Sequence, residues 1–124
     1  MILVDSSIWI DHLRLADARL ALALAERRVV QHPFVTAELA LGSIRDRSRL
    51  VMMLRLLPQA SVVAEEGLYD YIDKNQLYGT GIGMVDAHLL ASAAAGAGVV
   101  LWTRDRRLHE QAARLSLAHY EGRI

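Results

Sequence analysis

The 124-residue sequence contains no cysteine. Disulfides, thiolate nucleophiles, iron–sulfur clusters and cysteine zinc sites are therefore excluded, and the composition fits a cytoplasmic protein. There is no excess charge of either sign, because 14 basic residues balance 14 acidic ones. Attraction of nucleic acid by bulk charge alone is thus not expected. Lysine is almost missing: Lys74 stands alone among arginines. Arginine suits bidentate phosphate contacts, although a coding bias accounts for the same pattern. No apolar run approaches the roughly 20 residues of a membrane span before Asp, Arg, His or Gly breaks it. The start of the chain has no basic segment, and Asp5 interrupts its apolar run, so no signal peptide is expected.

What remains is a chain that is 53% hydrophobic and long enough for one domain over residues 1–124. No repeat, linker or low-complexity stretch divides it. "ILVD" reads as a short buried strand that turns into a helix at Ser6 or Ser7, both good helix caps. "DARLALALAERR" (17–28) predicts a helix, and "VVQH" a strand stopped at Pro33. "VTAELALG" (35–42) and "RDRSRLVMMLRLL" (45–57) predict helices, the second amphipathic and stopped by Pro58. "ASVV" (60–63) is a strand candidate. "EEGLYDYIDKNQLYG" (65–79) predicts a helix, and the turn "GTGIG" leads into another, "MVDAHLLASAAAGAG" (84–98). "VVLWT" (99–103) is the clearest strand, "RDRRLHEQAARL" (104–115) a helix, and "SLAHY" (116–120) a last strand. Strands alternating with helices predict an α/β fold, with a mainly parallel sheet between two helical layers.

Sites in open α/β sheets form at the carboxyl ends of the strands. Asp5 ends the first strand, and Asp105 lies just past "VVLWT". Glu38 sits in the apolar helix "TAELALG", and Asp86 in the first turn of a very apolar helix. Each acid alone has a structural reading: Asp5 as a cap, Asp86 as a helix-dipole partner, Glu38 as a solvated side chain, Asp105 paired with Arg104 or Arg107. Together they are harder to dismiss. Four converging carboxylates repel one another unless a cation neutralises them, and oxygen ligands favour Mg²⁺ or Mn²⁺.

The ordered set "VDSSIWID", "VTAELALG", "GMVDAHLLASA" and "LWTRDRRL" resembles the PIN-domain ribonucleases, and among them the VapC toxins of toxin–antitoxin pairs. The resemblance spans nearly the whole chain. It implies a PIN-like three-layer α/β/α fold. It also implies an acidic active site of Asp5, Glu38, Asp86 and Asp105 around Mg²⁺ or Mn²⁺. Ser7 and Thr103 match the small hydroxyl residues that the family keeps beside its acids. On this reading Asp5, Asp86 and Asp105 hold the metal, and Glu38 positions or deprotonates the attacking water. The substrate is RNA, with transfer or ribosomal RNA as targets. The partners are a VapB-type antitoxin and a second copy of the chain.

Other readings stand beside this one. Arg104, Arg106 and Arg107 flank the expected site and are candidates for RNA phosphate, as is the run Arg45, Arg47 and Arg49 at a distance; ordinary surface pairing explains both. His12, His88 and His109 lack ligand spacing and read as structural or surface residues. "GTGIG" lacks the Lys-Ser/Thr of a P-loop and reads as a turn. Trp9 is expected in the core. Leu50, Val51, Met53, Leu54 and Leu57 exceed what one buried helix face needs, which suits a groove or dimer contact. An RNA-processing nuclease of the same family, or a non-catalytic interaction module, are the alternatives.

Overall fold

The computed structural model describes residues 1–122; Arg123 and Ile124 of the expected domain lie outside it. The sheet is built from β1 (Ile2–Val4), β2 (Val29–Val30) and β3 (Val100–Trp102), all parallel, in the order β2-β1-β3. Ile2 stands opposite both Val29 and Val100, and Val4 opposite Trp102. β1 is central and buried along its whole length, which is why it is an unbroken apolar run rather than an alternating one. The chain passes from β1 to one side, then returns to pair β3 on the other. This reversal opens a crevice at the carboxyl ends of β1 and β3.

Helices fill the intervals: α1 (Ser6–Arg14), α2 (Ala18–Ala25), α3 (Pro33–Ala40), α4 (Arg47–Leu56), α5 (Glu65–Lys74), α6 (Met84–Ala95) and α7 (Arg106–Arg114). Three begin on an aspartate whose carboxylate takes orphan N–H groups: Asp5 for α1, Asp17 for α2 and Asp105 for α7. Pro33 opens α3 at its first helical position, where its missing N–H costs nothing. α6 is buried without a break from Ala87 to Ala93, so its apolar character goes all round. It packs on β3 and α5, while α3 packs on α1 and α4. The three-layer α/β/α architecture is as expected. Trp9, Trp102, Leu3, Leu89 and Leu101 form the middle of the core.

Two expected strands are corrected. "ASVV" is a loop between α4 and α5, and only Gln59, just before it, bridges Gln31. Its valines do not enter the sheet: Val62 is exposed, and Val63 packs against Leu68 and its neighbours. "SLAHY" contributes one parallel bridge, Ala118 to Leu101, and no strand. Each segment meets only one edge of a short sheet, so β-propensity found too little partner surface.

Candidate active site

Asp5 follows β1 directly and is only 6% exposed. Its own N–H continues the ladder to the Trp102 carbonyl at 2.9 Å. Four contacts hold its carboxylate. The Ser6 N–H donates to Oδ1 at 2.7 Å, with the Ser6 hydroxyl at 3.4 Å. The Ser7 and Thr103 hydroxyls donate to Oδ2 at 3.0 and 2.6 Å. Both hydroxyls accept in turn: Ser7 from the Arg104 N–H at 3.1 Å, Thr103 from the Asp105 N–H at 3.0 Å. The small hydroxyl residues therefore lace the end of β1 to the end of β3 and fix the direction of the buried acid. Thr103→Val keeps the shape and deletes this donor. It is expected to cost about 1–2 kcal/mol of stability and to weaken divalent-cation affinity about 10–100-fold; thermal melts with and without Mg²⁺ read both.

The other three acids lie near Asp5: Glu38 and Asp86 interact with it through their charges, and Asp105 through Thr103. Asp105 caps α7 through the Leu108 N–H at 3.1 Å. Asp86, in the first turn of α6, is half-buried, with the Gly83 N–H 3.5 Å from Oδ2. Burial raises its pKa, opposed by the Gly83 contact, and the charges of Asp5 and Asp105 push it further up. Glu38 stands on the open side of α3. Partial burial of its carboxyl raises its pKa too, with Asp5 and Asp86 adding to the shift. Glu38 thus lies within the fields of Asp5 and Asp86, and Asp86 within those of Asp5 and Asp105. Among the described residues, however, no three acidic or imidazole groups stand close enough to hold a metal ion unaided.

α3 and α6, which carry Glu38 and Asp86, are tied by a buried network that the sequence reading missed. His32 caps α3, its Nδ1 accepting from the Phe34 N–H at 3.0 Å. Its Nε2 lies 3.1 Å from the Ser92 hydroxyl of α6, and that hydroxyl donates to the Ser61 carbonyl at 2.7 Å. Ser92 therefore accepts, and His32 carries its proton on Nε2. Burial, helped by the nearby His88, lowers the His32 pKa to about 4. Its folded value lies below its ordinary 6.5, so the unfolded chain binds more protons between these limits. His32 thus stabilises the fold fully above pH 6.5 and loses that contribution as pH falls towards 4. His32→Asn keeps a helix-capping group but does not titrate, so its melting temperature should fall less than wild type over this window. A polar residue just before a helix-opening proline was the only local signal.

Of the other expected residues, His12 is structural: its Nδ1 accepts from the Asp17 N–H at 2.9 Å. His88 is buried, and His109 stacks edge-on against Tyr120. Arg104 is engaged by three carboxylates, Asp17 and Glu121 at 2.6 Å and Asp11 at 2.8 Å. Of the three arginines expected at RNA phosphate, it is thus already occupied in the free protein. Arg106 makes only a loose exposed pair with Glu110 at 3.6 Å. Arg107 lies over Gly81 in the turn before α6, and a Cβ there would meet its guanidinium at 3.0 Å. Gly81 also has φ +87°, a second reason for glycine at that position.

The family model of the PIN domain matches residues 2–114. Ribonuclease VapC32 from two strains of Mycobacterium tuberculosis is 46% identical over 118 residues, covering 95% of this chain and 95% of that one. With Asp5 and Thr103 meeting at the strand ends inside the matched span, this chain belongs to the PIN domain family, among its VapC-type ribonucleases.

Proposed function

We propose that the chain is a divalent-metal-dependent endoribonuclease, the toxin of a toxin–antitoxin pair, acting on transfer or ribosomal RNA in the cytoplasm. The observation that carries this is the buried, four-times-bonded Asp5 carboxylate, with three further acids coupled to it through charge and hydrogen bonds. The donor set is carboxylate and hydroxyl oxygen, with neither thiolate nor imidazole in it, which fits Mg²⁺ or Mn²⁺. The spacing of the acids fits as well, since Mg²⁺ keeps several waters and needs only one or two protein carboxylates. Asp5 and Asp86 would hold it directly, with Asp105 reaching it through a water. When bound, it supplies a lowered pKa for water and charge neutralisation at phosphate.

Glu38 then takes the proton of the attacking water on its carboxylate, a role that its raised pKa suits. Ser7 and Thr103 keep Asp5 oriented, and Arg106 and Arg107 meet the phosphates on either side. In-line attack leaves a 3′-hydroxyl and a 5′-phosphate. Of the α4 residues expected at a groove or dimer contact, Leu50 and Leu54 are instead buried in the core; Met53 is exposed and, with Met52 and Leu56, offers the apolar surface for a VapB-type antitoxin or a second copy of the chain. No described helix is long and apolar enough to cross a membrane. Purified total RNA incubated with antitoxin-free protein should yield discrete fragments with Mg²⁺ or Mn²⁺ and none with EDTA. Fragments that persist in EDTA would overturn the reading. An interaction module would bind its partner yet cleave nothing under any condition.

A further inference from the structure

A cleft of about 500 Å³ opens between α3, α5, α6 and the turn before α6, lined by Phe34, Leu68, Tyr69, Tyr78, Ile82 and His88 among others. We propose that this cleft seats a nucleobase of the RNA, next to the bond that is cut. The proposal rests on the ribonuclease reading and adds a base-recognition site to it.

Four observations carry it. The volume lies in the range of small-ligand sites, about 300–1,000 Å³. The walls are aromatic and apolar, with Glu65 the one charged residue on them among the described residues, and its carboxylate accepts from the Tyr69 hydroxyl at 3.2 Å. Phosphate therefore has no cation to meet there, whereas a base has ring faces to stack on. Tyr69 and Tyr78 are 58% and 64% exposed at the rim, and Phe34 meets the His88 ring edge-on at 4.8 Å.

Second comes the imidazole. His88 is 8% exposed; its Nδ1 is sealed from solvent, whereas Nε2 keeps some exposure and has no hydrogen bond among the described residues. Nε2 is the ring atom that an occupant of the cleft can reach, and an apolar protein segment filling the cleft would bury it unanswered. The edge of a base offers both donors and acceptors and answers either tautomer.

Third, the cleft is contiguous with the carboxylates. Phe34 and Glu38 share one face of α3 four residues apart, about 6 Å along the axis. Fourth, Gly83 belongs to both places: it lines the cleft, and its N–H lies 3.5 Å from Asp86 Oδ2. A strand whose phosphate reaches the acids thus has its neighbouring base at the cleft mouth.

The test compares two probes on the Asp86→Asn protein with Mg²⁺: a random-sequence oligoribonucleotide pool and an abasic ribose-phosphate chain of equal length. The pool should bind about tenfold tighter, the scale of one stacked base. Tyr78→Ala, at an exposed position, and His88→Leu, at a buried one, should each shrink that advantage while leaving affinity for the abasic chain in place. Equal binding of the two probes, or an undiminished advantage in folded Tyr78→Ala, would overturn the proposal. So would a change of oligomeric state on Tyr78→Ala in sedimentation, which would assign the cleft to a protein contact. Continued cleavage of the pool by the Asp86→Asn protein would instead sink the catalytic assignment, whatever the base preference.

Discussion

Asp86→Asn is expected to lower RNA cleavage by at least about 100-fold, some 3 kcal/mol of transition-state stabilisation, while raising the melting temperature of the metal-free protein. The two effects have one cause. At neutral pH Asp86 is an anion that is half-buried and faces the anions Asp5 and Asp105. The helix dipole at the start of α6 favours that charge, as does the Gly83 N–H. The net shift is nevertheless upward, so burial and like charge win. Because the folded value is raised above the ordinary 3.8, the native state holds the proton more tightly than the unfolded chain. Stability from the protonated form is complete below that value and is lost as pH rises through the folded one. Asparagine is neutral at every pH and can still accept from Gly83, so it removes the loss. A gain of a few degrees at pH 7 should shrink as pH approaches 4. Mg²⁺ should raise the melting temperature of the wild type more than that of the variant. Undiminished cleavage by the folded variant would remove Asp86 from the active site.

Arg104→Ala should produce the largest loss of stability. One guanidinium holds Asp11 on α1, Asp17 at the start of α2, and Glu121 near the end of the described chain. Glu121 also accepts from the Trp102 indole at 2.9 Å. Geometry decides the worth of this hub, because five donors in a rigid fork serve three carboxylates at 2.6–2.8 Å. The side chain is 28% exposed, so solvent screening discounts the pairs. What remains is about 2–3 kcal/mol, roughly 10 °C for a domain of this size. Arg104→Lys keeps the charge but not the fork and should recover less than half.

The pH dependence checks the cause. The hydrogen bond from Arg104 lowers the Asp17 pKa despite some burial. Glu121 is lowered against burial by Trp102 and Arg104. Their stabilisation is present above the ordinary values of 3.8 and 4.5 and disappears as pH falls through the lower folded ones. The gap between wild type and Arg104→Ala should therefore be full at pH 6 and narrow below about pH 4. A gap that stays constant down to pH 2 would mean lost packing rather than lost charge pairing.

Much of this was legible in the sequence, and the reasons are physical. Asp5 and Asp105 were visible because apolar strand segments end on them, and parallel sheets direct such residues to one edge. Glu38 and Asp86 stood out as charges within apolar helices. The Arg104 hub was not legible. Its partners lie 93, 87 and 17 residues away, and no local pattern marks an ion pair formed across three elements. The His32–Ser92 bond spans 60 residues and was hidden for the same reason. "ASVV" misled because two adjacent valines suggest a strand, whereas Val63 belongs to the small cluster around Leu68.

The bond between Thr103 and Asp5 joins positions 98 apart. Translation at about 5–20 residues per second separates their synthesis by roughly 5–20 s. Throughout that interval the central strand has no β3 beside it, and Asp5 lacks its shortest hydrogen bond. A nascent chain cut off before β3 carries Asp5, Glu38 and Asp86 but lacks the Trp102 and Thr103 partners of Asp5. Those partners arrive with the last crossover. The connectivity of the fold thus leaves the bond that fixes Asp5 to the last part of synthesis.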